Sequence, residues 1–293
     1  MPRPRTWILG LATLAVAAGG VTAAATTGTV LPAASSASAA HSAPAAAKPA
    51  PAKAAPAPAP TPITLWVRVP AANVWFKVAW VRHVDRSSLG AHPDLRRWVQ
   101  RQTYAQRLQL GNNLMTQALK GEQVVLLGTR GRYDKVQVVN QRGSVYPLGI
   151  VGWVDKSQLS AAPVAAARTK KLPRRAASVI AAARAYRGTT YIFGGMTHLG
   201  IDCSGLTYLA AEAVGVRLPR DAADQSRVGR PVGRHALRPG DLVFFGPGGR
   251  SSIHHVGIYV GHGRILHAPH TGSSVRVTPL SQFPDYWGAR RIV

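Results

Sequence analysis

One short stretch of this 293-residue chain carries the groups best suited to covalent chemistry: Gly200-Ile201-Asp202-Cys203-Ser204-Gly205-Leu206. It holds the single cysteine of the chain. A polar turn leads into Cys203 and an apolar run, Leu206 to Ala211, follows. The pattern predicts a helix with Asp202 as N-cap and Gly215 as its stop. Cys203 then sits in the first turn, where unpaired N–H groups and the positive helix end favour a thiolate. A lone cysteine is otherwise a small buried hydrophobe. A nucleophilic one needs a base within hydrogen-bond reach and a group to orient that base.

Ten histidines are available, so position must separate them. His254 and His255 precede the strand-like run Val256 to Val260, and alternation sends them to opposite faces. His254 shares the aliphatic face of Val256, Ile258 and Val260, or lies in the preceding loop. His255 shares the other face with Gly257 and Tyr259. A three-residue loop, Gly261-His262-Gly263, pairs Val260 with Arg264 and puts His267 opposite Gly257, diagonal to His255 on the same face. A Cys203–His255–His267 set follows from parity and loop length. No metal motif occurs, neither His-Glu-x-x-His nor a cysteine cluster, and no cofactor is expected.

The elements that must position this set fall in the last part of the chain. Ala176 to Tyr186 reads as a helix, Thr189 to Gly195 as a brief extended run closed by two glycines, then the Cys203 helix. Leu242–Phe245, Val256–Val260, Arg264–Ala268 and Trp287–Ile292 read as strands. Helices first and an antiparallel sheet afterwards describe an α+β domain, 177–293. A second domain, 63–162, has β-type runs at 65–69, 74–78, 123–127, 135–139 and 151–154. Its turn is placed at Gly128–Arg132, and it carries two short helices at 94–102 and 104–110, with Pro93 as first helical residue. That describes a small β-barrel with a helical insertion. Residues 163–176 read as a basic linker.

The chain opens with Arg3, Arg5 and an apolar run from Trp7 to Ala18, followed by small residues. Residues 1–40 are read as a cleavable signal peptide and small-residue segment, and 41–62 as an Ala/Pro-rich tether. A single exported cysteine cannot close an intramolecular disulfide. Lys and Arg number 36 against 11 Asp and Glu, a net of +25. The excess is spread out, with 14 basic and 5 acidic residues in 63–162 and 13 and 6 in 177–293. Diffuse positive charge implies a polyanionic neighbour. For an exported chain an anionic cell wall fits better than nucleic acid, for which no motif is present.

Six motifs occur in order: Tyr191-Ile192-Phe193-Gly194-Gly195, Asp202-Cys203-Ser204-Gly205-Leu206, Leu218-Pro219-Arg220, Arg238 to Phe245, His255 to Gly261 and His267-Ala268-Pro269. Together they resemble the NlpC-type cell-wall peptidases, which have a papain-like fold. The resemblance covers 177–293. It implies that Cys203 is the nucleophile, His255 the base, His267 the third member, and that Tyr191 lies by the oxyanion. Residues 63–162 resemble the bacterial SH3-like module that precedes such peptidases, through Thr116 to Glu122 and Gly149 to Val154. Those relatives cleave the γ-D-glutamyl to diamino-acid bond and recognise a free N-terminal L-alanine. A tyrosine of theirs is Ile150 here and a serine is Ala222, which weakens the expectation of strict selection for a free amine. Asp202, Ser204 and Glu122 remain as polar candidates for holding substrate.

The expectation is therefore a secreted or cell wall-associated, monomeric cysteine endopeptidase acting on peptidoglycan stem peptides. The alternatives are an amidase or acyltransferase on the same fold, or a non-catalytic wall-binding protein.

Overall fold

The computed structural model describes residues 61–166 and 171–293, which lie in one compact unit. Residues 1–40, expected to be a signal peptide, all but the last two residues of the expected tether, and residues 167–170 of the expected basic linker lie outside the described residues. No helix among the described residues is long and apolar enough to cross a membrane.

The first part is a seven-stranded antiparallel sheet in the order β3-β2-β6-β5-β4-β1-β7. Its strands are β1 (Thr64–Val67), β2 (Ala71–Trp75), β3 (Leu114–Leu119), β4 (Gln123–Arg130), β5 (Tyr133–Val138), β6 (Ile150–Asp155) and β7 (Leu159–Ser160). Alternate residues such as Val136, Val138, Ile150 and Val154 fill one core, as the two-residue period of a strand requires. Between β2 and β3 lie α1 (Leu95–Arg101) and α2 (Tyr104–Leu108). On α1, Leu95, Trp98 and Val99 share one face at helical spacing and pack with Trp75 and Leu114 in a second core.

Two sequence expectations shift here. Strands β4 and β5 run to Arg130 and from Tyr133, so the turn shrinks to Gly131-Arg132 rather than spanning 128–132. Leu95, not Pro93, is the first residue of α1, because the Asp94 carboxylate accepts from the Arg97 N–H as the N-cap.

The second part holds α3 (Ala176–Arg184), the short hairpin β8 (Met196–Thr197) and β9 (Gly200–Ile201), α4 (Cys203–Glu212) and α5 (Ala222–Gln225). A six-stranded antiparallel sheet follows, in the order β10-β15-β11-β12-β13-β14. Its strands are β10 (Arg230–Val232), β11 (Leu242–Phe245), β12 (His255–Gly261), β13 (Arg264–His267), β14 (Arg276–Pro279) and β15 (Tyr286–Arg291). Alternation divides it. Leu242, Phe244, Val256, Ile258 and Leu266 meet Leu206 and Ala210 of α4. Val243, Phe245 and Ile265 form a smaller core on the opposite face. Leu172, in the stretch expected to be a linker, donates its N–H to the Ala213 carbonyl and packs at the end of α4.

Candidate active site

Cys203 opens α4 as its first helical residue. Asp202 caps the helix, its Oδ1 accepting from the Gly205 N–H at 2.6 Å, and Gly215 ends the segment with φ +76°. The thiol is buried, 7% exposed, and faces the backbone N–H groups of Ser204 and Val256. Val256 is the residue after His255, so the helix end and the start of β12 meet at the thiol.

His255 and His267 share a face of the sheet. The register pairs Ile258 with Leu266 and Tyr259 with Ile265, and a bulge lets Gly261 pair with Arg264. A two-residue turn plus one bulged residue keeps the parity of the three-residue loop inferred from sequence. Gly257 lies on the same face between the histidines, where a Cβ would stand 3.1 Å from Ile265 Cδ1 and 3.2 Å from the His267 Cβ, so a larger residue would push on both. His255 Nε2 lies 2.8 Å from His267 Nδ1, and His267 Nε2 lies 2.9 Å from Thr278 Oγ1. Thr278 and its strand β14 were missed in the sequence, although the alternation Val275-Arg276-Val277-Thr278 carries a strand signal.

Two aromatic rings enclose the base. Phe245 is the cross-strand partner of His255, with ring centroids 5.7 Å apart. Phe283 lies nearly parallel to His255 at 6.1 Å and edge-on to His267 at 5.4 Å. Burial pushes the His255 pKa down to about 3, helped by the neighbouring His267, His254 and His270. Burial also lowers His267 to about 4, with Arg276 and His270 acting in the same sense. Both rings are neutral at physiological pH.

The thiol departs from its sequence expectation. Burial, reinforced by Asp202, pushes the Cys203 pKa up to about 12, against the opposing Val256 and Ser204 N–H groups and Arg220. Desolvation of a buried charge outweighs the helix end. The resting pair is a neutral thiol and a neutral imidazole. No hydrogen bond joins Sγ to the His255 ring among the described residues, a looseness common in unliganded catalytic pairs.

Tyr191 lies on a short parallel bridge to Ile201, just before the cap. Burial raises its phenol pKa, and Cys203 and Asp202 add to the rise, so the hydroxyl remains a donor. The Cys203 N–H, at the first helical position, has no intrahelical acceptor.

The remaining candidates are engaged elsewhere. Asp202 accepts from Gly194 N–H at 2.8 Å and from Arg220 Nη1 and Nη2 at 3.1 and 2.7 Å. Ser204 Oγ accepts from Arg220 Nη1 at 2.8 Å. Both residues are as buried as Cys203 between them, and these bonds tie their oxygens to the protein around it. Glu122 Oε2 accepts from the Leu119 N–H and Gln141 Nε2 within the first sheet. Burial raises its carboxyl pKa to about 7, and the α4 groups coupled to it are Tyr208 and Glu212 rather than Cys203. Ile150 points into the core of the first sheet. His254 is exposed and pairs with Asp285 at 2.8 Å. Among the described residues no group of three or more His, Cys, Asp or Glu side chains could hold a metal ion.

A cysteine at a helix N-terminus, set against two neighbouring strands that each carry one histidine of a hydrogen-bonded pair, defines a cysteine peptidase. Residues 188–292 match the NlpC/P60 family. The chain is 36% identical over 113 residues to the probable endopeptidase NlpC of Escherichia coli, covering 37% of this chain and 73% of that protein. It is 29% identical over 271 residues to the γ-D-glutamyl-L-lysine dipeptidyl-peptidase of Bacillus subtilis, covering 72% of this chain and 92% of that protein. The crystal structure of an NlpC/P60 family protein from Bacillus cereus superimposes with a TM-score of 0.71 at 26% identity, covering 78% of this chain and 99% of that one. The chain belongs to the NlpC/P60 family.

Proposed function

We propose that this protein is an exported peptidoglycan hydrolase that cleaves the γ-D-glutamyl to diamino-acid bond of stem peptides. The observation that carries the chemistry is the His255 Nε2 to His267 Nδ1 bond, which leaves His255 Nδ1 as the free base at the thiol end of the relay. The choice of bond is supported by similarity along most of the chain to the Bacillus subtilis γ-D-glutamyl-L-lysine dipeptidyl-peptidase.

His255 Nδ1 takes the Cys203 proton as Sγ attacks the γ-glutamyl carbonyl. Burial disfavours charge on both resting groups, so in this reading proton transfer accompanies attack. The imidazolium so formed donates through Nε2–H to His267 Nδ1, while His267 Nε2–H donates to Thr278 Oγ1. The Cys203 N–H and Tyr191 hydroxyl receive the oxyanion. The imidazolium then returns its proton to the leaving amine, and water releases the acyl group from Cys203.

In this reading the first sheet, with its helical insertion, is an SH3-like module. The segment 1–40 directs export, and the basic surface favours an anionic wall polymer.

The test is digestion of L-Ala-γ-D-Glu-diamino-acid peptides and purified wall, with mass analysis of products. Release of L-Ala-D-Glu, lost in Cys203→Ala, supports the proposal. Cleavage at a D,D cross-link or at the amide joining peptide to glycan would overturn it.

A further inference from the structure

Asp202 fixes the first turn of α4, and hence Cys203, through partners that themselves rest on β3 of the other sheet. One partner is Arg220, which is 2% exposed. Its Nε donates to Thr116 Oγ1 of β3 at 2.9 Å, across 104 residues of sequence. Thr116 Oγ1 donates in turn to Gln141 Oε1, and Gln141 Nε2 donates to the Gln117 carbonyl. The second partner is the Gly194 N–H. Gly194 lies against Leu114 of β3, where a Cβ would stand 2.9 Å from the Leu114 Cγ. Two residues on, the Met196 N–H donates to Gln117 Oε1 of β3 at 2.9 Å. The segment around Arg220 is also gripped by the β5–β6 connection. Its own N–H donates to the Arg142 carbonyl, and the Ser144 N–H donates to Asp224 Oδ2.

Strand β3 stands at the edge of its sheet. An exposed edge normally presents unpaired groups to solvent, yet Thr116 and Gln117, which point to opposite sides of the strand, are both buried. A buried ion pair is tolerated only when its remaining donors and acceptors are satisfied. Thr116 supplies the acceptor for Arg220 Nε, the donor that faces away from Asp202.

We propose that Thr116 and Gln117 are positioning residues of the active site: β3 is the template on which the Asp202 cap, and through it the Cys203 N–H and thiol, are held. The inference rests on Cys203 being the nucleophile. It adds that the first sheet completes the catalytic centre and does not merely restrict access to it.

The experiment uses the full chain. Thr116→Val keeps the shape and removes the hydroxyl, Thr116→Ser keeps the hydroxyl, and Val124→Ala opens the core of the same sheet away from the network. Two quantities are read: kcat and KM on a γ-D-glutamyl stem peptide, and hydrogen exchange of the first-turn amides of α4. For Thr116→Val we expect kcat to fall on the order of ten-fold with KM little changed, since small misplacements of reacting groups carry such losses. We also expect faster exchange at 203–206. Thr116→Ser should restore most of both, while Val124→Ala should lower Tm and leave both alone. Gln117→Met tests the second arm and replaces Thr116→Val if that variant does not fold. Wild-type kcat and exchange in a folded Thr116→Val or Gln117→Met protein would overturn the proposal. So would equal losses in Val124→Ala. If the wild type cleaves no γ-D-glutamyl peptide, the proposed substrate fails alone, and exchange at 203–206 still decides the role of β3.

Discussion

His255 Nε2 and His267 Nδ1 are 2.8 Å apart, and in the proposed mechanism the bond between them reserves Nδ1 of His255 for the thiol. In that mechanism Nε2 of neutral His255 carries the proton toward His267, leaving Nδ1 as the acceptor. His254, one residue earlier, points to solvent and Asp285. Replacing His255 by Ala should therefore reduce kcat/KM by at least about a thousand-fold, the scale of losing a catalytic base. His254→Ala should change it by less than about three-fold, as expected for an exposed side chain outside the relay. Parallel rate measurements on the two variants check this; equal losses would place the wrong histidine in the relay.

Thr278 Oγ1 closes the relay at His267 Nε2. Thr278→Val removes that acceptor but not its volume. With no partner on Nε2, the His267 ring loses its fixed tautomer and orientation, as happens when an orienting group is removed from a catalytic imidazole. We expect kcat to fall about ten-fold with the thermal midpoint nearly unchanged. Steady-state kinetics and a melting curve on the same sample separate this from a folding defect.

The relay was legible from sequence because parity is a local property. The bulge before Gly261 and the turn at His262-Gly263 leave His255 and His267 on one face, as loop length alone implied. The Asp202 cap was legible for the same reason. What stayed hidden depends on contacts between distant segments: Thr278 across a strand that was not recognised, Phe283 against both imidazoles, and Thr116 on Arg220. The ionisation of Cys203 belongs to this class. Its helix position favours a thiolate, but the burial that raises its pKa comes from the sheet packed over it.

That reversal sets the behaviour of the thiol toward alkylating agents. With the Cys203 pKa pushed up to about 12, the thiolate fraction grows with every step of alkalinity through the accessible range. The rate of iodoacetamide alkylation in the free enzyme should climb from pH 6 to pH 9 without levelling. A plateau near pH 7 would reveal a preformed thiolate–imidazolium pair.

The two histidines also tie stability to pH. Their folded pKa values, about 3 and about 4, lie below the unfolded value of 6.5. Between those limits the unfolded chain binds more protons, so the histidines' contribution is complete above pH 6.5 and is lost as pH falls toward 4. The slope reaches about 1.4 kcal/mol per pH unit for each ring. Glu122, with a folded pKa of about 7 against 4.5 unfolded, acts in the opposite sense over that interval. The difference between wild type and His255→Asn isolates the imidazole. The difference between their unfolding free energies in urea should be constant above about pH 6.5 and shrink as pH falls toward 4. A difference independent of pH would show that His255 is not held neutral by burial.

Cys203, His255 and His267 all lie within 177–293, yet the structure argues against an independent fragment. Removing residues 61–166 leaves Arg220 Nε, the Met196 N–H and the Gly194 turn without Thr116, Gln117 and Leu114. The core between α4 and the six-stranded sheet is drawn mainly from the fragment itself, so helical and sheet content should largely survive. The Asp202 cap, however, would be held only from its own side. We expect the fragment to retain much of the far-ultraviolet circular dichroism due to its sequence and to lose about a hundred-fold in kcat/KM. Discrimination between free and N-blocked stem peptides should weaken as well. A fragment as active as the full chain would show that the cap stands without β3 and that the first sheet serves only to select substrates.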